Sequence, residues 1–343
     1  VTHSAATAAP VAVTMGEPAG IGGEILLKAW LRRAEEDLPP FVAIDDPDRL
    51  QAIADDLETD VPLAPVGSGL EAFQAFDKAL PVARYAAPLA PLPVAGAPNT
   101  AHAKAVMGSI EVATQWVMRA HACAVVTLPI HKQTLYAAGF AYPGHTEYLA
   151  VLTGVDEGAV MMLVSPHLRV VPATVHLPLA DVPRHLTPQT IIHAGRVTAA
   201  ALQEDFGIAD PRLAVAGLNP HAGEGGRLGT EERAVIAPAL ETLRSEGIAV
   251  TGPHPADTLF HARVRANADA YVCMYHDQAL IPLKTLDFDH GVNVTLGLPI
   301  VRTSPDHGTA LDIAGRGVAR PDSLIAALKL AHHCAGNRRR MHP

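Results

Sequence analysis

Three histidines stand where three apolar runs end. His176 directly follows "RVVPATV" (169–175), His276 directly follows "DAYVCMY" (269–275), and His221 lies three residues beyond "RLAVAGL" (212–218). Short apolar runs bounded by turn residues read as strands, so each of three strands delivers one imidazole at its C-terminal end. In open α/β sheets ligands gather outside that edge, where loops converge and helix N-termini point inward. Three imidazoles at one site, with coordination positions left open, suit a catalytic divalent ion such as Zn²⁺. Asp277, next to His276, is placed to orient its ring. The competing reading is coincidence: the chain holds 18 histidines, any one of which serves equally as a polar loop residue. No local signature such as HExxH is present, and spacing alone leaves both readings open.

The elements that must carry these residues recur along the chain. Further strand-like runs are "VAVTM" (11–15), "FVAID" (41–45), "ACAVVT" (122–127) and "MMLV" (161–164). Helical patterns lie between several of them. One begins after Asp46 with Pro47 in its first turn. A second has Thr230 as N-cap, Glu231 and Glu232 in the first turn and Gly247 past its end. A third is opened by Pro321, carries Leu324, Ile325, Leu328 and Ala331 on one face, and is expected to stop at Gly336. This alternation predicts an α/β protein with largely parallel strands. Pro81, Pro88, Pro91, Pro93 and Pro98 exclude a long helix over 81–98, which reads as extended chain packed on a lobe. The tail "NRRRMHP" reads as solvated charge.

At 343 residues the chain exceeds the usual size of one core, which favours two lobes. Hydrophobic residues make up 49% and charged residues 18%, with a net charge of −9 and no long Lys/Arg block. A nucleic-acid partner would need a basic face, so none is expected. Cys123, Cys273 and Cys334 are widely spaced without a CxxC pair and read as buried thiols in a reducing compartment, the cytoplasm by default. No apolar run approaches the ~18 residues of a membrane span. The start, "VTHSAATAAP", lacks the basic and apolar regions of a secretory signal.

Two glycine-rich stretches, "TMGEPAGIGGEIL" (14–26) and "HAGEGGRLG" (221–229), suggest phosphate loops, but neither fits G-x-G-x-x-G. From Gly223 the third glycine falls at Leu228, and from Gly20 it falls at Ile25. A dinucleotide fingerprint is therefore weak, and tight turns at positive φ explain the glycines as well. More specific is "SPDHGTALDIAGRGVARP" (304–321). Its compact run, His307, Gly308, Thr309, Ala310, Asp312, Ile313 and Gly315, resembles the nucleotide-binding loop of the isocitrate and isopropylmalate dehydrogenases, which bind NAD(P) without a Rossmann fold.

Taken in order, "TMGEPAGIGGEI", "PGHTEYLA", "TVHLPL", "GLNPHAGEGGRLGTEE", "GPHPADTLF", "MYHDQALIPLK" and "GVNVTLGLPIVRTSPDHGTALDIAGRG" cover nearly the whole chain. Together they resemble the 4-hydroxythreonine-4-phosphate dehydrogenase family of pyridoxal-phosphate biosynthesis. The resemblance implies His176, His221 and His276 as metal ligands, with Zn²⁺ first and Mg²⁺ or Co²⁺ as alternatives. It implies His145, Thr146, Lys284, Asn293 and Arg302 as substrate contacts, and His307, Gly308 and Asp312 as the NAD or NADP loop. The implied fold is two-lobed with α/β/α layers: residues 1–135 plus 296–343 carry the nucleotide loop, and 136–295 the metal ligands and dimerisation. A homodimer is implied, its site in a cleft between lobes and one ligand histidine coming from the partner. Leu128, Ala279 and His290 depart from the family pattern, which bears on loop shape more than on reaction type.

The implied reaction is NAD-dependent oxidation of the secondary alcohol of a small phosphorylated amino acid to a β-keto acid, which can then lose CO₂. A metal on the hydroxyl would lower its pKa as hydride leaves. Three neutral imidazoles leave the full charge on the ion for an anionic substrate. Arg302 and Lys284 supply positive charge for phosphate or carboxylate. Lys284 as proton relay and Asp257 as base or orienter are further candidates; for these residues a plain anion contact and a helix N-cap are the simpler roles. Relatives acting on erythronate or threonate 4-phosphate, or on a terephthalate cis-dihydrodiol, keep the substrate open. A metal-dependent lyase without redox function is the alternative of another class, and a non-catalytic binding protein is disfavoured by so many convergent polar residues.

Overall fold

Val11–Thr14 and Phe41–Ile44 are buried at every position, as parallel strands covered on both faces must be. The computed structural model describes residues 9–84, 89–155 and 158–341. Pro88, the first eight residues and the last two of the tail lie outside them. Strands are numbered along the chain, which divides into two compact units.

The first unit comprises the chain up to Ala159 together with Leu298–Ala335. Its strands are β1 (Val11–Thr14), β2 (Phe41–Ile44), β3 (Leu63–Pro65), β4 (Leu80–Val82), β5 (Ala124–Val126) and, after the chain returns, β12 (Arg302–Pro305). They run in the order β3-β4-β2-β1-β5-β12, each neighbouring pair parallel. The helices Ala103–Met118 and His145–Thr153 close the core, with Ile110, Ala113 and Leu149 packed among Val42, Ile44 and Val125.

The second unit comprises Val160–Gly297 and the chain from Gly336 onward. It holds β6 (Val160–Ser165), β7 (Leu168–Pro172), β8 (Arg212–Ala216), β9 (Ala249–His254), β10 (Ala270–Cys273) and β11 (Val292–Leu296). Their order is β11-β6-β7-β10-β8-β9. The β11–β6 and β6–β7 pairs are antiparallel, whereas β7, β10, β8 and β9 run parallel. Leu163, Val170, Ala214, Tyr271 and Leu283 form its core.

One expected helix start holds, and other expectations need correction. The helix at Pro47–Asp56 is capped by Asp46, whose side chain accepts from the Asp48 N–H. Thr230, by contrast, caps through its carbonyl, which accepts from Arg233 and Ala234, and the following turn, Glu232–Ile236, is a π-turn. Gly336 does not end the last helix, which runs from Asp322 to Met341. The reason lies in the supposedly solvated tail: Arg338 makes two hydrogen bonds to the buried Asp205 carboxylate, and Asn337 donates to the Asp205 carbonyl at 2.7 Å. These contacts hold the helix past its glycine, whose intrinsic cost is only ~1 kcal/mol. Cys273 and Cys334 are buried, but Cys123 is only half-buried. Among the described residues no helix is long and apolar enough to cross a membrane.

Candidate active site

The three strands that precede the candidate ligands are neighbours in the second unit, ordered β7-β10-β8 and all parallel. Their C-terminal ends therefore stand side by side, one ~4.8 Å strand spacing apart. His176 follows β7, separated from it by three residues because the strand stops at Pro172 rather than at Val175. The Ala173 N–H donates to the Cys273 carbonyl and Thr174 Oγ1 to the Met274 carbonyl, 2.7 Å each, which ties the two strand ends together. His276 opens the helix His276–Leu286. The His176 and His276 rings lie 5.8 Å apart between centroids and border one recess of about 210 Å³ with Thr174, Leu179, Tyr275 and Asp277. Asp277 Oδ1 lies 2.7 Å from His276 Nδ1, so a proton held there leaves Nε2 as a lone-pair donor.

His221, exposed at the end of β8, does not join them: among the described residues no three His, Cys, Asp or Glu side chains converge as a metal cage. Two of the three candidates are thus brought together and the third sits on the adjoining strand end. The donor set fits a divalent ion, with two imidazoles facing a common recess and one of them oriented by a carboxylate. Both His176 and His221 have positive φ, 48° and 54°, a backbone state that non-glycine residues adopt at a cost and that clusters at functional sites. Lys284, half-buried on the same helix as His276, holds Nζ 5.7 Å from the Phe288 ring centroid. Asn293 lies in β11 opposite Leu163. Asp257 is exposed in the first turn of the short helix Ala256–Leu259, and no side-chain cap is made there.

The first unit gathers the anion-binding candidates. His145 and Thr146 open the helix His145–Thr153, whose free N–H groups and dipole favour an anion. Burial, then the positive charges of Arg302 and Lys132, hold the His145 pKa well below its ordinary value, so the ring is neutral. Its Nε2 is buried without a hydrogen-bond partner. Arg302, at the start of β12, is 4% exposed. Its Nε donates to Thr127 Oγ1 at 3.0 Å. Burial pulls its pKa down to about 10, with Glu147 opposing, so it remains cationic at neutral pH. Nothing local marks Lys132 in the sequence "VTLPIHK": its relevance comes from the fold, which brings its charge to His145.

The loop around His307 meets the first glycine-rich stretch. Ile21 N–H donates to the Thr309 carbonyl at 3.1 Å, and a Cβ on Gly20 would stand 2.8 Å from that carbonyl oxygen. Close backbone approach therefore requires glycine at 20. Gly16 has φ +66° and lies against Leu128, which fills the space beneath the turn. The His307 ring is partly shielded, its Nδ1 3.0 Å from the Gly308 carbonyl, and its Nε2 is buried without a partner. Burial foremost lowers its pKa, against the Gly308 contact and Asp306. Gly308 and Asp312 are exposed beside it. Under the Gly20 turn the buried Arg49 donates to Asp45 at 2.6 Å and to the Pro18 carbonyl at 3.3 Å, bracing the turn from behind.

Parallel strand ends that carry histidines, a buried arginine and a His-Gly loop are thus set on a two-unit α/β fold. Residues 37–331 match the model of the pyridoxal phosphate biosynthetic protein PdxA. The chain is 53% identical to the 4-hydroxythreonine-4-phosphate dehydrogenase of Erythrobacter litoralis over 330 residues, 96% of this chain and 97% of the relative. The crystal structure of 4-hydroxythreonine-4-phosphate dehydrogenase from Klebsiella pneumoniae superposes with a TM-score of 0.86 at 37% identity, covering 97% and 99% of the two chains. A terephthalate 1,2-cis-dihydrodiol dehydrogenase from Burkholderia xenovorans aligns with a TM-score of 0.65 at 30% identity, covering 95% and 98%. The chain belongs to the PdxA family and is an oxidoreductase.

Proposed function

We propose that the protein catalyses NAD(P)- and divalent-metal-dependent oxidation of 4-phosphohydroxy-L-threonine to 2-amino-3-oxo-4-phosphooxybutanoate, which decarboxylates to 3-amino-2-oxopropyl phosphate for pyridoxal 5'-phosphate synthesis. The observation that carries this reading is the row of parallel strand ends bearing His176, His276 and His221. When bound, a divalent ion would supply Lewis acidity at the substrate hydroxyl and the nicotinamide a hydride acceptor. The chain's own groups do the rest. His176, His221 and His276 hold the ion, Asp277 fixes the His276 ring through Nδ1, and a second copy of the chain brings the missing histidine of each site. Arg302, Lys132 and the N-terminus of the His145–Thr153 helix hold the phosphate or carboxylate. Neutral His145 and Thr146 orient it by hydrogen bonds, and Lys284 and Asn293 contact the substrate. Lys284 Nζ is also a candidate to move the hydroxyl proton. His307, Gly308 and Asp312 hold the nucleotide.

The relatives named for 4-hydroxythreonine-4-phosphate favour that substrate over the dihydrodiol of the more distant structure, which lacks a phosphate. The test is NADH formation across a panel of 4-phosphohydroxythreonine, erythronate and threonate 4-phosphates and a terephthalate cis-dihydrodiol. The highest kcat/KM is expected for the first, abolished by chelation; turnover that survives thorough metal removal would reject the metal role.

A further inference from the structure

His221 does not sit on an ordinary loop. His221 (φ 54°, ψ 27°), Ala222 (50°, 45°), Gly223 (79°, 1°), Glu224 (44°, 50°) and Gly225 (65°, 21°) are left-handed in succession, and Gly226 continues at φ 95°. A left-handed helical turn costs roughly 1–2 kcal/mol per non-glycine L-residue, and three of these residues have side chains. Such a turn persists only where its surroundings over-determine it.

We propose that Glu232, acting with Asn219, is the positioning residue that holds this turn and so presents His221. The inference rests on the reading of His221 as a metal ligand. Glu232 is 4% exposed and uses both carboxylate oxygens on the residue where the turn begins. Oε1 accepts from the Asn219 N–H at 2.7 Å, and Oε2 from Asn219 Nδ2 at 3.1 Å. Asn219 Nδ2 also donates to Glu231 Oε2 at 2.8 Å. Three glycines crowd this pair, two of them without space for a side chain. A Cβ on Gly223 would stand 2.5 Å from Glu232 Oε2, one on Gly217 3.2 Å from Oε1, and one on Gly229 2.2 Å from Asn219 Nδ2. The glycines of "GLNPHAGEGGRLG" thus enclose a carboxylate of the protein itself rather than a phosphate.

The brace continues to the neighbouring strand. Gln278, 8% exposed, donates from Nε2 to the Gly217 carbonyl at 2.8 Å and accepts from the Met274 N–H at 2.7 Å. It joins the base of the His221 turn to the end of β10, two residues before His276. Glu232 also opens the π-turn Glu232–Ile236, a distortion frequent at functional sites. A carboxylate that only stabilised the helix would need neither the glycine enclosure nor two hydrogen bonds to the residue that opens the turn.

The full-length protein, loaded with Zn²⁺ or Co²⁺, tests this directly. Metal dissociation constants are measured by chelator competition for the wild type, Glu232→Gln, Gly223→Ala and His221→Ala, together with the Co²⁺ d–d spectrum, the melting temperature and the NAD dissociation constant. Glu232→Gln keeps the volume but loses one acceptor. It should weaken metal binding roughly 10–100-fold, the usual effect of removing a group that orients ligands, and alter the Co²⁺ spectrum with NAD affinity unchanged. Gly223→Ala attacks the same brace from the turn side and should act in the same direction, which keeps the test informative if one variant folds poorly. Wild-type affinity and spectrum in both, with His221→Ala weakened, would overturn the positioning role alone. Wild-type affinity in His221→Ala as well would remove the ligand assignment and this inference with it.

Discussion

In the first unit Arg302 and His145 are set by burial: desolvation lowers both pKa values, leaving a cation and a neutral ring side by side. In the second unit His176 and His221 are exposed, and what defines them is backbone held at positive φ on adjoining strand ends. The candidate residues of the first unit are organised electrostatically inside a core, those of the second conformationally at strand ends. A buried charge is costly to desolvate and costly to leave without its partner. An exposed imidazole costs little until a ligand has to be held in one geometry. Substitutions in the two units should therefore fail in different ways: loss of anion recognition in the first, loss of metal in the second.

The largest break should come from His276→Ala, which removes a proposed ligand from the His176 pair. The turnover number should fall by about a thousandfold, as loss of several kcal/mol of charge stabilisation implies, with the metal content of purified protein falling in parallel. Retained metal and turnover would show that the two units do not differ as argued. Arg302→Met should lower kcat/KM by ~10²-fold through a higher KM for phosphorylated substrate, leaving metal affinity intact; steady-state kinetics with metal titration separates the two. Asp277→Asn keeps the size of the side chain but weakens the hydrogen bond to His276 Nδ1, and a metal affinity reduced roughly tenfold is expected.

The smallest effect concerns pH. The folded-state pKa of His145 lies well below the ordinary 6.5, so below that pH the unfolded chain binds the proton that the folded chain refuses. Stability is then fully present above about 6.5 and falls as the pH drops toward the folded-state pKa. His145→Asn should flatten this acid limb of the melting temperature. An unchanged acid limb would mean that burial does not govern this half.

The same contrast explains what the sequence reveals. Strands β1 and β2 are legible because burial on both faces leaves uninterrupted apolar runs, and the three histidines are legible because each follows such a run. Strands β3 and β4, three residues each and both containing proline, carry too little pattern to stand out. β12 reads "RTSP", with Arg302 bonded to Thr127 175 positions away, and its polarity hides the strand. The glycines at 223, 225 and 226 announce positive φ, but nothing local announces it for His221, Ala222 and Glu224. Lys132 and Gln278 acquire their roles only through tertiary placement. The helix runs through Gly336 because Asp205 pairs with Arg338, another long-range fact.

The ordering β7-β10-β8 has a consequence for redesign. Because each strand end presents one histidine, the edge is a row of positions whose pitch is fixed by backbone hydrogen bonding and whose contents are fixed one residue at a time. Exchanging an imidazole there for a carboxylate would shift the preference toward harder cations without disturbing the apolar interior of Val170, Val272 and Val215 beneath. On the proposed metal role, the ion preference of this scaffold would be separable from its folding, and the two could be altered independently.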